Sequence, residues 1–364
     1  MDGCLSRCDA ACGRAGRWLD ALSLPAFIVV AVAATLCLDG FFYSSRWIFV
    51  PNSPDWVRAL EFLRQCANPA ALDVEPSLRW RLLPAWTAHF LGLRGFAPLM
   101  LPGLGFLALL VALARVFARS MSDRFTALCS LALCGTTSAG LVQLTLFGMN
   151  DAWAWLGLVA AAFSPRLWPL AAACLLCPWV DERFLIGLPA ALLIRSHIAG
   201  LGARDRIKTF LLAGLLLLPY VLPRAAHLLH PAGRDASFIH SSLIQVSRWI
   251  TYVPIGWWMA YRLMWGAVIL ALVRARDGWL FLCSVGALFV LPFFAWDLSR
   301  SPADLLPLAV WGLILIPESW PSFSRRIVAA LLAAQLAIPA GHVIADWFYP
   351  IFPLPVVLLR FLPH

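Results

Sequence analysis

Long apolar runs, separated by short polar turns, follow one another along most of the chain. Continuous runs of this kind predict membrane-spanning α-helices, and the lack of strict apolar–polar alternation argues against a β-barrel. We predict an all-α polytopic membrane protein with about eleven transmembrane helices, within a range of about ten to thirteen, in a single transmembrane domain over 1–364. The predicted spans cover 24–42, 96–114, 126–147, 152–164, 167–180, 184–194, 209–223, 254–273, 279–296, 303–317 and 327–345, and 351–362 is predicted to be re-entrant or interfacial.

Three of these runs, 152–164, 167–180 and 184–194, are shorter than the roughly 20 residues that cross a hydrocarbon core about 30 Å thick. Backbone polar groups cannot be left facing lipid, so such segments must pack inside protein or line a water-filled cavity. Of these two interpretations the cavity is the more interesting one.

Two connections are too long to be simple turns. The first, 43–95, contains "SPDWVRALEFLRQC" and "EPSLRWRLLPAWTAHFLGL", whose apolar spacing predicts amphipathic helices on or near the outer membrane surface. The second, 224–253, carries His227, His230 and His240. Residues of an interfacial loop are the default interpretation of these histidines, ahead of a zinc site.

Composition and charge agree with the membrane class. The chain is 62% hydrophobic and 13% charged, whereas soluble domains carry about 25% charged residues. The net charge of +9 at pH 7 does not indicate a nucleic-acid partner, because the basic residues flank the predicted spans as they do at cytoplasmic ends. Counting arginines in the short loops predicts a cytoplasmic N-terminus and places both long loops outside.

Charged residues gather on the predicted outer side. Ionisable groups at the membrane boundary are costly and indicate function by default, although a helix cap or a local ion pair explains each of them singly. They are Asp39 after the first span, Asp151 in "GMND", Asp181, Glu182 and Arg183 in "DERFLIGLP", and Asp297 and Arg300 in "DLSRS".

These residue types suit the transfer of a group from a lipid-phosphate donor. A carboxylate at a membrane-facing site can act as general base toward an acceptor hydroxyl. Arginines can bind a phosphate through paired hydrogen bonds. The tryptophans of the outer loops can stack on sugar rings and line a lipid groove.

The arrangement resembles the GT-C superfamily of polyprenyl-phosphate-dependent integral membrane glycosyltransferases. The similarity lies in a cytoplasmic N-terminus, a first span that ends in Asp39, a long first outer loop with amphipathic helices, the element "RWRLLPAWTAHFLG" before the second span, and the three acidic motifs above. It implies that Asp39 is the catalytic base and that Arg79, Arg81, Arg183 or Arg300 binds the donor phosphate.

The resemblance also implies a lipid-linked sugar donor, an envelope or lipid-linked acceptor, membrane lipid surroundings and a place in the bacterial inner membrane with the active face on the periplasmic side. In that family the catalytic acid often belongs to a paired-acid motif that also holds a divalent metal. Here Asp39 is followed by Gly40 and Phe41, so no cofactor is specified and dependence on Mg²⁺ or Mn²⁺ is left open. The other outer acids are expected to bind or position substrate: Asp151, Asp181, Glu182 and Asp297.

Two other functions stay open. Short, interrupted spans with charge near the bilayer midplane are typical of transporters, which makes a lipid-linked sugar flippase the first alternative. The second is a non-catalytic membrane subunit of a polysaccharide or envelope assembly, in which a protein partner covers the charged turns. The sequence contains no HExxH, GxSxG or Walker A motif, which argues against a membrane protease and a P-loop NTPase.

Overall fold

The apolar runs of the sequence form α-helices. The computed structural model describes residues 13–43, 54–71, 76–145, 148–229, 250–275, 278, 282, 285–286, 297–344 and 347–359. In chain order the helices are α1 (Leu24–Phe42), α2 (Pro54–Ala67), α3 (Pro76–Arg79), α4 (Leu82–Phe90), α5 (Met100–Ser120), α6 (Arg124–Gly135), α7 (Ser138–Thr145), α8 (Asp151–Phe163), α9 (Leu167–Leu176), α10 (Phe184–Ile198), α11 (Ala203–Leu229), α12 (Val253–Tyr261), α13 (Trp265–Arg274), α14 (Leu306–Ser319), α15 (Ser324–Ala337) and α16 (Leu354–Leu359). Short 3-10 helices cover Ala97–Leu99, Cys177–Trp179, Ile250–Tyr252, Arg262–Met264 and Ser301–Leu305, and the strands are β1 (Ala340–Ile344) and β2 (Trp347–Ile351).

Five helices among the described residues are long and apolar enough to cross a membrane. The predominantly helical class predicted from the sequence is therefore confirmed. The number of about eleven spans stays a prediction, and the predicted span 279–296 lies almost entirely outside the described residues. The five helices, each counted with its adjoining 3-10 turns, are Leu24–Phe42, Ala97–Ser120, Ala203–His227, Ile250–Arg274 and Ser301–Ser319.

Several apolar helices lie in the interior of the bundle. The short helix α8 packs against α5, α9 and α10, and Ala154, Leu158 and Ala161 along it are at most 1% exposed. In the most apolar 18-residue stretch of Ser301–Ser319, 89% of the residues are buried. Of the two interpretations of the short runs, packing inside protein is therefore the one that describes α8.

Thr137 interrupts the span predicted over 126–147, which is divided between α6 and α7. The Thr137 hydroxyl donates to the carbonyl of Cys134 at 2.8 Å and accepts from the N–H of Gly140 at 3.1 Å. A threonine that bonds the neighbouring backbone in this way offers an alternative to helical hydrogen bonds. The chain therefore ends one helix and starts the next inside the bundle.

Arg262 interrupts the span predicted over 254–273. It starts the 3-10 turn between α12 and α13 with a φ of 49°, and it is fully buried. Its guanidinium donates to carbonyl groups at the C-terminal ends of two other helices, where a cation is favoured. These acceptors are Thr136 after α6, and Gln335 and Ile338 at the end of α15.

An antiparallel hairpin of β1 and β2 replaces the end of the last predicted span, 327–345. The helix α15 ends before Pro339, which lacks a backbone N–H and disfavours helical geometry in the preceding residue. The N–H of Leu298 donates to the carbonyl of Val343 at 3.0 Å, so the hairpin is fastened to the turn before α14. Over these residues the fold departs from the all-α prediction.

The first long loop contains helices, as predicted. The helices α2 and α4 pack together around Phe62, Ala85 and Ala88, while their location on the membrane surface stays a prediction. The second long loop begins later than predicted, because α11 continues to Leu229 and includes His227. His230 and His240 lie outside the described residues.

At the end of the bundle away from the start of α8, arginines form hydrogen bonds that connect neighbouring helices. Asp123 caps α6 by accepting from the N–H of Thr126 at 3.0 Å, and Arg325 donates to the same carboxylate at 2.7 Å. Arg195 donates to the carbonyls of Ala161 and Ser164 at the end of α8. Arg195 and Arg325 are among the arginines whose count predicts the cytoplasmic side.

The close approach of α13 and α14 provides a test of this packing. A Cβ atom on Gly312 would lie 1.8 Å from the carbonyl oxygen of Ala267, whereas one on Gly266, in the same helix pair, would meet nothing within 4 Å. Gly312→Ala is therefore expected to lower the free energy of unfolding by about 1–3 kcal/mol. Gly266→Ala should leave it unchanged or raise it by up to about 1 kcal/mol, since alanine favours helix. Thermal unfolding of both variants in detergent checks this, and equal midpoints would contradict it.

Candidate functional site

Charged residues from four separate segments meet at one end of the bundle, and we call them the ion network. The segments are the turn before α4, the start of α8, the turn before α10 and the turn before the 3-10 helix Ser301–Leu305. The ion network consists of Arg81, Asp151, Asp181, Glu182, Arg183, Asp297 and Arg300.

Asp151 is the centre of the ion network. It is the first residue of α8 and is 2% exposed. Its Oδ2 atom lies 2.9 Å from Arg183 Nη2 and 2.8 Å from Arg300 Nε. A carboxylate is also favoured at a helix N-terminus. The two arginines are themselves buried, so Asp151 and its partners compensate one another's charge away from water.

The turn "VDER" folds Asp181 and Arg183 onto each other. Asp181 Oδ1 accepts from the backbone N–H and from Nε of Arg183, each at 2.9 Å, and Asp181 Oδ2 lies 2.7 Å from Arg183 Nη2. This two-point contact between guanidinium and carboxylate fixes the direction of the arginine. The same Nη2 atom then reaches Asp151 on α8.

Arg81 and Glu182 form the accessible edge of the ion network. Arg81 Nη1 lies 3.1 Å from Asp181 Oδ2 and 4.0 Å from Asp151 Oδ1, and Arg81 Nε lies 3.5 Å from Glu182 Oε2. The side chain of Glu182 is 36% exposed and that of Arg81 is 14% exposed. A ligand that approaches the ion network from outside therefore meets these two side chains first.

The hairpin closes the other side of the ion network. Asp297 Oδ2 lies 3.0 Å from Arg300 Nε and 3.5 Å from His342 Nε2 on β1. Ser299 Oγ lies 2.6 Å from His342 Nδ1 and accepts from the N–H of Val343 at 3.0 Å. His342 thus connects the strand to both the acid and the hydroxyl of the preceding turn.

Three neighbours of the ion network were missed from the sequence. Trp155 Nε1 donates to Asp304 Oδ1 at 3.1 Å, and both residues are 2% exposed. His342 is the third. Asp304 and His342 lie within the predicted spans 303–317 and 327–345 and were therefore treated as parts of apolar helices. The signal that could have identified them is an ionisable side chain inside an apolar run.

Burial and neighbouring cations shift the pKa values of Asp181 and Asp297 in opposite directions. Burial alone would raise the pKa of Asp181, but Arg183 and Arg81 outweigh it and hold that pKa well below its usual range. Burial would also raise the pKa of Asp297, whereas Arg300 and His342 bring it below its ordinary value. Both carboxylates are therefore ionised at neutral pH.

Two residues of the predicted site, Arg79 and Asp39, are not part of the ion pairs above. Arg79 is the last residue of α3. Asp39 is 1% exposed and lies against the end of α6, where a Cβ atom on Gly135 would be 3.3 Å from its Oδ2. Arg262 is its cationic neighbour, and within the described part of the chain neither carboxylate oxygen of Asp39 has a hydrogen-bond partner. Asp39 belongs to a second buried polar cluster, with Arg262.

A small cavity lies beside Arg81 and is lined in part by Gln65, Gly148 and Asn150. Its volume of about 10 Å³ suits one water molecule. Among the described residues, Oε1 of Gln65 and Oδ1 of Asn150 have no hydrogen-bond partner, which a water would supply. The cavity is too small for anything larger than a water molecule, and the exposed edge at Arg81 and Glu182 is the side of the ion network that a larger ligand can approach.

The residues of the ion network do not fit a divalent metal. Within the described ranges, no group of three or more His, Cys, Asp or Glu side chains is arranged to hold one. The oxygens of Asp151 and Asp181 that face each other are already occupied by Arg183.

In comparisons with known proteins, no family model, curated protein or solved structure matches this chain.

Removing Arg183 tests the mutual dependence of the buried charges. Arg183→Met would leave Asp151 and Asp181 without their shared partner, and loss of one member of a buried ion pair costs about 3–5 kcal/mol. Arg64→Met is the matched control, because Arg64 forms a 2.7 Å pair with Glu61 while its side chain is 63% exposed, and such pairs contribute under about 1 kcal/mol. Chemical unfolding in detergent measures both changes. Equal losses would show that the ion network does not stabilise the bundle.

Acid should weaken the fold through Asp181 and Asp297. Because their folded-state pKa values are lowered, the stability they contribute is present above the unfolded value near 3.9. It is lost as the pH falls further, through the folded-state pKa values. We expect the thermal midpoint to drop below about pH 4, and to drop less steeply in Asp297→Asn. Asp205→Asn, in an exposed pair with Lys208, is the control and should keep the wild-type slope.

Proposed function

We propose that the protein is an integral membrane glycosyltransferase that transfers a sugar from a polyprenyl-phosphate-linked donor to an envelope or lipid-linked acceptor on the outer face of the membrane. The observation that carries the proposal is the convergence of Arg81, Asp151, the turn 181–183 and the turn 297–300 at one end of an apolar helical bundle. Carboxylates and arginines at such a boundary are the groups that transfer from a lipid phosphate requires.

The exposed apolar surface supports insertion in a membrane. Phe90, Met100, Leu211, Leu215 and Val273 are each more than 60% exposed, and a contiguous apolar surface in water is unfavourable. The ion network lies at the end where α5 and α8 begin, and the arginines Arg124, Arg195 and Arg325 lie at the other. With those arginines on the cytoplasmic side, the ion network faces the outer side of the inner membrane.

Arg183 and Arg300 suit a positioning role better than a phosphate-binding one. Each already faces two carboxylates of the ion network, Arg183 those of Asp151 and Asp181, and Arg300 those of Asp151 and Asp297. An incoming phosphate would have to displace buried partners. Arg81 also faces carboxylates, those of Asp181 and Glu182, but it lies at the exposed edge. We therefore propose that Arg183 and Arg300 orient the acids, and that Arg81 faces the donor.

The proposed reaction needs one base. The acceptor hydroxyl attacks the anomeric carbon of the donor sugar, and the bond from that carbon to the phosphate oxygen breaks. The polyprenyl phosphate leaves with the electron pair, and Arg81 stabilises its charge. The hydroxyl proton passes to a carboxylate. Glu182 is the base that the geometry favours, because it is the most exposed acid of the ion network. Asp39 is the base that the GT-C resemblance implies.

A flippase is the second candidate function, and one observation favours it. Asp39 and Arg262 place opposite charges inside the bundle, beside the interruptions between α6 and α7 and between α12 and α13. Broken helices with charge at the break are typical of transporter binding sites. In this alternative the same lipid-linked sugar is carried and not consumed.

Transfer assays with base variants test the proposal. The full chain in nanodiscs is supplied with a panel of polyprenyl-phosphate sugars, and the release of polyprenyl phosphate is followed by mass spectrometry. Loss of a general base costs about 10²–10⁴ in rate, so Glu182→Gln is expected to slow release by at least about 100-fold if Glu182 is the base. Asp39→Asn is expected to do the same only if Asp39 is the base.

The control is Glu318→Gln, which changes an exposed glutamate at the other end of α14 and should leave the rate unchanged. Thermal unfolding shows whether each variant is folded. Full activity in both Glu182→Gln and Asp39→Asn would contradict the proposed mechanism. Movement of intact donor across the bilayer, without release of polyprenyl phosphate, would favour the flippase.

A further inference from the structure

The carbonyl group of Leu78 connects α2 to the turn that carries Arg81. It accepts from the backbone N–H of Arg81 at 2.8 Å and from Nε2 of Gln65, on α2, at 3.0 Å. Leu78 and Gln65 are 2% and 1% exposed. A buried hydrogen bond is costly to leave unmade, so the side chain of Gln65 fixes the turn from which the side chain of Arg81 extends into the ion network.

Gln65 is a polar residue on the buried face of α2. Ala59 and Phe62 precede it at intervals of three residues and are at most 1% exposed, whereas Val57 and Leu60 are 54% and 45% exposed. Residues three apart share one face of a helix. A polar side chain buried on such a face is unfavourable unless it is hydrogen-bonded, so its place there indicates a specific contact and not a general preference for water.

The buried face of α2 packs against the loop that leads into α8. Gly148 in this loop has a φ of 85°, and a Cβ atom on it would lie 3.2 Å from Cβ of Phe62 and 3.4 Å from Cα of Ala59. Glycine permits both this backbone conformation and the close approach. Asn150 and Asp151 follow in the chain, so α2 lies directly beside the centre of the ion network.

The small cavity beside Arg81 brings the side-chain amides of Gln65 and Asn150 to the same guanidinium. Each amide nitrogen donates to a carbonyl, that of Gln65 to Leu78 and that of Asn150 to Gly148 at 3.4 Å. The amide oxygens are therefore the acceptors that face the cavity. Within the described ranges, Nε of Arg81 has no hydrogen-bond partner either. One water that accepts from Arg81 and donates to both amide oxygens has the number of partners that a buried water needs.

We propose that Gln65 is a positioning residue for Arg81. It acts on the backbone of Arg81 through the carbonyl of Leu78, and on the guanidinium through one water that it shares with Asn150. The inference deepens the proposed function and rests on it for the role of Arg81 toward the donor phosphate. Gln65 does not contact the donor but sets the direction in which Arg81 meets it. The helix α2 of the first long loop thereby becomes part of the site, although it contributes no residue to the ion network.

A double-mutant cycle on the full chain in nanodiscs tests whether Gln65 acts through Arg81. Gln65→Met keeps the length of the side chain and removes both polar groups. It is expected to slow the release of polyprenyl phosphate by about 10- to 100-fold, because misplacing a group at the reacting centre has an effect of that size. In an Arg81→Gln background, the same change is expected to alter the rate by less than about 2-fold. A structural role alone would slow both backgrounds alike, so equal losses would overturn the proposal.

Chemical unfolding in detergent repeats the cycle without requiring turnover. Arg81→Lys keeps the charge of the ion network, and it also serves in the rate cycle if Arg81→Gln does not fold. The unfolding constant of the double variant Gln65→Met, Arg81→Lys is expected to depart by at least about 3-fold from the product of the single effects. Gln335→Met is the matched control, because Gln335 is equally buried but accepts from the N–H of Leu263 in the other polar cluster. Its effect should simply multiply with that of Arg81→Lys.

The outcomes separate the positioning role from the transferase. Coupled unfolding constants together with a wild type that turns over no donor would contradict the proposed transferase, while the positioning of Arg81 by Gln65 would stand. Unfolding constants that multiply for Gln65 as they do for Gln335 would overturn the positioning role. Electron cryomicroscopy of the wild type is expected to show one ordered water between Gln65 and Asn150, and an empty cavity would overturn the contact through water.

Discussion

The pairing of Asp151 with Arg183 and Arg300 is the interaction on which the rest of this end of the molecule depends. A carboxylate buried at the start of α8 is tolerated only if cations reach it. The two arginines come from turns that lie far apart in the sequence, so satisfying one charge draws α8, α10 and the turn before α14 together. The accessible edge at Arg81 and Glu182 is a consequence of that arrangement, because the inner acids are already compensated and only the outermost pair is left facing the surroundings.

A second buried cation, Arg262, organises the middle of the bundle by different means. It binds carbonyl groups at the ends of α6 and α15, so helix ends, and not carboxylates, supply most of its hydrogen bonds. Asp39 balances its charge without touching it through a hydrogen bond. The two polar clusters therefore differ in kind. One is an array of ion pairs open at one edge, and the other is a cation enclosed by helix ends.

The sequence predicts the depth of a residue in the membrane better than it predicts which helices lie next to each other. The turn 181–183, Asp151 and Asp297 were expected on one side, because charged residues between apolar runs have to lie at a boundary, and they do lie together. Asp39 was expected on the same side, but its neighbours are different, since alternation of spans says nothing about which helices are adjacent. His342 was missed, because the strand that carries it resembles the end of an apolar span in the sequence, and its contact with Ser299 is known only from the structure.

The hairpin has a consequence for biosynthesis. Asp151 and the turn 181–183 leave the ribosome well before Asp297, and β1 with His342 follows later still. Until the late segments arrive, an early bundle of α5, α8 and α10 has an acidic centre with only part of its compensation and one face uncovered. The order of the chain thus delays completion of the ion network until the turn 297–300 has been made. A nascent protein stalled before that point would present Asp151 without its second arginine to the cell's insertion and quality-control machinery.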